Sequence, residues 1–171
     1  MNIVQTFSQF DSNCIIICEP IKNTVIENSK FIRLIYSTPQ ISVNGLFFHI
    51  SVKDAIIEKY FDKFKCNFKY CNNTWIDFVE YIEKIILSKV LTRKVKRYKI
   101  TEQMKAGYIK LFTPQEEKSK KSLTFILKIS GIWENINELG LTYKFISMNT
   151  HYNRESMINP DFIQGQSYEL S

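Results

Sequence analysis

Apolar and polar residues alternate with a two-residue period over several stretches of the chain, and with a helical period over one long stretch. GLFFHISV, from Gly45, sets Leu46, Phe48, Ile50 and Val52 against Phe47, His49 and Ser51. That is the pattern of a strand with one face buried. FKCNFKY, residues 64–70, repeats it, with Phe64, Cys66, Phe68 and Tyr70 on one side and Lys65, Asn67 and Lys69 on the other. Two further strands are predicted at CIIIC, residues 14–18, and at KFIRLIYS, residues 30–37, which runs into the turn-forming TPQ. In DAIIEKYFDKF, residues 54–64, Ile56, Ile57, Tyr60, Phe61 and Phe64 recur at helical spacing behind Asp54, predicting a short helix. The strongest helix is WIDFVEYIEKIILSKVL, residues 75–91, with Trp75, Phe78, Val79, Ile82, Ile85, Ile86 and Val90 on one face and Thr74 as its cap. Trp75 is thereby a packing residue.

Beyond this helix, GYIKLF at 107–112 predicts a short strand, and TPQEEKSKKS at 113–122 a polar loop. FILKISGIWENINELGLTYKF, residues 125–145, reads as two strands of a hairpin, with Gly131 allowing a bulge that redirects Ile132 and Trp133. The sequence implies one domain over residues 1–150 and an irregular tail over 151–171. The order is three strands, a helix and two strands, with an extra N-terminal strand. It predicts a mainly β fold with one or two helices: an OB-fold-like five-stranded Greek-key barrel with a helix between strands 3 and 4. Other small β+α domains produce the same string of elements.

Composition adds a sign to this picture. The 171 residues carry a formal charge of +6, and 14% are aromatic, which favours an anionic partner. The densest positive stretch follows the long helix: Lys89, Arg93, Lys94, Lys96, Arg97, Lys99, Lys105 and Lys110 are opposed within it by one acid, Glu102. Lysines at a helix C-terminus favour the helix dipole, but the run to Lys99 exceeds that need. No apolar run approaches the ~18 residues of a membrane span, and no secretory leader opens the chain, so a soluble, cytoplasmic protein without a membrane partner is expected.

Cys14 with Cys18 and Cys66 with Cys71 have spacings that invite zinc. Their apolar neighbours favour ordinary buried thiols, and neither a metal nor another cofactor is expected. His49 and His151 are the only histidines and read as structural or solvated side chains. Phosphate-binding, dinucleotide-binding and nucleophile-elbow motifs are absent from the sequence, so no enzymatic activity is expected.

SKFIRLIYS, VNGLFFHI, LKISGIWE and GLTYKF resemble segments of the single-stranded-DNA-binding proteins of large DNA viruses and cytoplasmic linear DNA plasmids. The resemblance covers four short pieces and leaves the middle and the tail unmatched. It implies an OB-fold replication protein that coats and protects exposed single strands, with single-stranded DNA, or RNA, as ligand and replication proteins as further partners.

The residues permit the same chemistry independently. A sequence-tolerant single-strand binder needs cations along the phosphates and flat rings for the bases. Alternation offers Phe31 with Arg33, Phe47 with His49, Lys65 with Lys69, Lys128, and Trp133, Tyr143 and Lys144 of the hairpin. The basic run offers Lys94, Lys96, Arg97, Tyr98 and Lys99. Two alternatives remain open at this level: a double-stranded-DNA or transcription protein using the long helix, and a basic module that meets an acidic protein.

Overall fold

The computed structural model describes residues 4–61, 63–111 and 118–148. The tail expected over 151–171, with His151, lies outside the described residues. In chain order the elements are β1 (Ile15–Lys22), β2 (Lys30–Ser37), β3 (Ser42–Asn44), β4 (Leu46–Tyr60), β5 (Lys63–Cys71), α1 (Asn73–Ser88), β6 (Val95–Arg97), α2 (Lys99–Lys105), β7 (Tyr108–Leu111), β8 (Lys118–Glu134) and β9 (Glu138–Ser147).

Five of these strands close a ring. β4 pairs with β5, β5 with β7, β7 in parallel with β9, β9 with β8, and β8 again with β4. The protein is therefore mainly β with two α-helices and a closed five-strand barrel, an OB-fold-like architecture. The strand order expected from the sequence is present, and α1 follows β2, β4 and β5. Within the ring itself, β7 is a stave and β2 is not, so both helices connect the second stave to the third.

The inward sides of the staves supply Phe48, Ile50, Ile109, Leu111, Phe125, Leu127 and Phe145, all buried, and α1 and α2 add Ile82, Ile86, Leu87, Ile100 and Met104 to the same core. Burying each such side chain contributes about 1.5–3 kcal/mol, which fixes the register of every stave. Asn72 caps α1, its side chain accepting from the Thr74 amide at 3.0 Å. The helix thus starts before Thr74, and it ends at Ser88. α2 is short and has no side-chain cap of its own. Glu83 of α1 performs that office: its buried carboxylate accepts from the amides of Ile100 at 3.1 Å and Thr101 at 2.8 Å, and from the Thr101 hydroxyl at 2.5 Å.

Two expectations from periodicity are corrected. Residues 54–60 are the second half of β4, not a helix. Asp54 has a φ of +50°, and the buried positions change there from Leu46, Phe48, Ile50 and Val52 to Ala55 and Ile57. A strand whose alternation slips by one residue acquires adjacent apolar positions that also fit a helical period. Secondly, β8 begins at Lys118, inside the stretch read as polar loop, and pairs with β4 along Leu46–Ile57.

β1, β2 and β3 form a small sheet outside the ring, attached through β8. Up to Ile129, β8 pairs with β4; from Gly131 it pairs with β2. Gly45 makes this branch possible. With φ at +94° it separates β3, bound to β2, from β4, bound to β8, and a Cβ there would lie 2.5 Å from the Ile129 carbonyl oxygen. No helix among the described residues is long and apolar enough to cross a membrane.

Candidate nucleic-acid interface

Residues directly opposite each other on neighbouring strands share a face, so the register identifies one continuous outer surface centred on β8. Phe31 of β2 opposes Trp133 of β8, and Trp133 opposes Gly140 of β9. The next row is Arg33, Gly131 and Thr142. Beyond it come Phe47 of β4, Lys128 and Lys144, then His49, Ile126 and Ile146. Ser51 and Thr124 finish the surface with their hydroxyls 3.1 Å apart.

The register shift between Ile129 and Gly131 is what holds these rows together. Were Ser130 an ordinary member of the alternation rather than a bulge, Trp133 would fall on the opposite side from Lys128. With the bulge, the indole and the lysine lie on the same side. The bulge expected at Gly131 therefore has a specific effect: it joins the aromatic rows of the outer sheet to the basic rows of the barrel.

Small residues let the rings lie close to the backbone. A Cβ on Gly131 would come within 2.5 Å of the Phe31 ring, and one on Gly140 within 2.8 Å of Trp133. Phe31 and Trp133 each keep part of their surface exposed. The Lys128 ammonium lies 5.2 Å from the centre of the Phe47 ring, a cation–π contact. Burial lowers its pKa from the ordinary lysine value, and the Lys144 charge acts in the same direction. Lys128 and Lys144 are directly opposite each other, which concentrates positive charge on this row. Arg33 is exposed and makes no ion pair among the described residues.

The other sequence candidates are placed differently. Lys65 stands on β5 with its ammonium 4.5 Å from the Tyr108 ring centre, and Lys69 is exposed on the same strand; both are on the far side of β4 from Lys128. Tyr143 falls on the inward side of β9. It packs edge-on to Phe145 at 6.0 Å, and its hydroxyl accepts from Gln103. Burial pushes its pKa up.

Lys94, Arg97 and Lys99 of the basic run are paired with acids, two of them with acids far away in sequence. Lys94 reaches Glu134 at 2.8 Å and the Asn135 carbonyl at 2.7 Å, Arg97 pairs with Glu138, and Lys99 reaches Glu102 at 3.0 Å. Lys96 is half-buried in β6, opposite Leu139, and Tyr98 packs half-buried against the core at the start of α2. One acid within the run is thus joined by two from the β8–β9 turn. Nothing in the local sequence signals this, since the parallel pairing of β6 with β9 brings them together.

Sequence reasoning also passed over Ile126 and Ile146, which extend the surface, and Tyr60 and Phe61, exposed at the β4–β5 turn. The latter pair was hidden by the helical reading of residues 54–64. The cysteines lie in two places, Cys14 and Cys18 at β1, Cys66 and Cys71 on β5. No group of three or more metal-ligating side chains occurs among the described residues. Burial pushes the Cys66 thiol up to about 12 and Cys71 up to about 11. No protein-family model, curated protein or solved structure matches the chain.

Proposed function

We propose that the chain is a sequence-independent single-stranded-DNA-binding protein that coats and protects strands exposed during replication, using the outer surface of β2, β4, β8 and β9. One observation carries the reading: Phe31, Arg33, Phe47, Lys128, Trp133 and Lys144 share a single face because of the bulge before Gly131. Rings with an exposed π-face accept any base, and the cations between them follow the phosphates. Binding of this kind involves no covalent step and no cofactor. The resemblance of the segments around Phe31, Phe47 and Trp133 to viral and plasmid single-strand binders supports the same assignment.

Recognition of duplex DNA by α1 finds less support. That helix buries Val79, Ile82, Glu83, Ile86 and Leu87, and the basic run behind it is engaged by Glu134 and Glu138. The experiment is fluorescence anisotropy of labelled single-stranded, double-stranded and RNA oligonucleotides over a salt series. The proposal expects single strands to bind more tightly than duplex, and Phe47→Ala to weaken them by the roughly 1–3 kcal/mol of one stacked base. Equal or tighter binding to duplex refutes it.

A further inference from the structure

The turn between β4 and β5 carries a feature that the ring does not require. Tyr60 pairs with Lys63, so the connection between the two strands is a tight one that begins at Phe61. Phe61 has a φ of +56°, a conformation that such turns usually assign to glycine, asparagine or aspartate and that is strained for a bulky side chain. No burial offsets the strain: Phe61 is 81% exposed and Tyr60 54%. The two rings meet edge-on, 4.9 Å apart at 83°, and Lys59 and Lys63 flank them along the chain.

The position is as informative as the chemistry. β4 is continuous from Leu46 to Tyr60, so the strand that presents Phe47 and His49 to the interface presents the aromatic turn at its other end, about 40 Å further on at strand rise. A single strand lying along β4 would meet the turn where it leaves the protein. Apolar side chains at the end of a rigid projection act on nucleic acid by entering between base steps and unstacking them. Strain held at an exposed position, without a packing gain, marks a functional feature.

We propose that Tyr60 and Phe61 form a wedge that enters a duplex end where a single strand emerges, so that the protein opens such junctions as well as coating the released strand. The inference rests on the single-strand reading above. A base at the junction leaves its neighbour and stacks on the exposed ring, and the freed strand runs back along β4 toward Phe47.

The test uses a forked duplex with 2-aminopurine at the junction, whose fluorescence rises when the base unstacks, beside a plain single strand of the same length. The variants are Phe61→Asn, which suits a positive φ, and Tyr60→Ser/Phe61→Asn. Thermal melting should show Phe61→Asn at least as stable as the unaltered protein. The expected result is that the unaltered protein opens the fork and that the double variant keeps its single-strand affinity while losing opening by about fivefold or more, the equivalent of one lost stacked base. Equal opening by the double variant overturns the wedge. So does an aromatic-dependent binding to phosphatidylserine vesicles with fork opening unchanged, which would assign the turn to a membrane surface. Single-strand binding without any fork opening by the unaltered protein overturns the wedge alone, whereas absence of single-strand binding overturns the wedge and the function together.

Discussion

The indole of Trp133 lies against the bare backbone of Gly140, so closely that a Cβ there would stand 2.8 Å from Cζ2. Cross-strand pairing puts the two residues opposite each other, and the missing side chain is what lets the ring lie over β9. Gly140→Ala should therefore displace the indole rather than unfold the barrel. The expected cost is about 1–3 kcal/mol in stability, with a shift in tryptophan emission and weaker single-strand binding. Urea unfolding and emission spectra check it; unchanged emission together with unchanged affinity would contradict it. Gly131→Ala should cost more, since its Cβ would also stand 2.5 Å from the Ile32 carbonyl oxygen, which cannot turn aside.

The charges divide into two sets with different expected behaviour. Lys94, Arg97 and Lys99 are bound to Glu134, Glu138 and Glu102, whereas Arg33, Lys128 and Lys144 stand on the proposed interface. Neutralising a residue that contacts phosphate should flatten the log–log salt dependence of single-strand binding by about 0.7 per contact. Arg33→Gln and Lys144→Gln should each do so, and Lys94→Gln and Arg97→Gln should not. Anisotropy titrations from low to moderate salt separate the sets, and a slope change confined to the second pair would reverse the assignment.

How far the sequence reveals this arrangement depends on whether the determining contacts are local. Alternation identifies β2, the first half of β4, β5 and the β8–β9 hairpin, because one face of each is buried and the side-chain period is short. Gly131 announces its bulge, since few residues fit so close to Phe31 and the Ile32 carbonyl. The phase slip at Asp54 moves the buried positions from Val52 to Ala55 and Ile57, and the apolar pattern that results over residues 54–64 also fits a helical period. The pairing of Lys94 and Arg97 with acids is hidden for another reason: Glu134 and Glu138 reach them through the pairing of β6 with β9, which is tertiary information. Tyr143 misleads because it adjoins Lys144, and adjacent strand residues take opposite faces; the extra residue lies on β8, so alternation along β9 stays regular and Tyr143 faces inward beside Phe145 and Gln103.

Glu83 gives the fold a pH dependence of definite sign. Burial raises its pKa from the ordinary 4.5, while hydrogen bonds from Thr101 and the Ile100 amide pull the other way with less effect. The native state therefore holds this proton more tightly than the unfolded chain does. The stability it contributes is complete below the unfolded value and is lost as pH rises through the folded one. The difference in unfolding free energy between the natural protein and Glu83→Gln should accordingly move against the natural protein as pH rises from 4.5 toward neutrality. Denaturant unfolding at a series of pH values measures it, and a difference moving the other way would mean that the three hydrogen bonds outweigh burial.

The chain has two tryptophans, which makes the central claim directly measurable. Trp75 packs against Phe7, with ring centres 3.9 Å apart, near the start of α1; Trp133 lies on the proposed interface. Each can be observed alone, in Trp133→Phe and Trp75→Phe, during titration with a single-stranded oligonucleotide. If bases stack along β8, saturating oligonucleotide quenches the emission of Trp75→Phe and leaves that of Trp133→Phe nearly unchanged. Tight binding that quenches only Trp133→Phe, or neither variant, would contradict an interface built around Trp133.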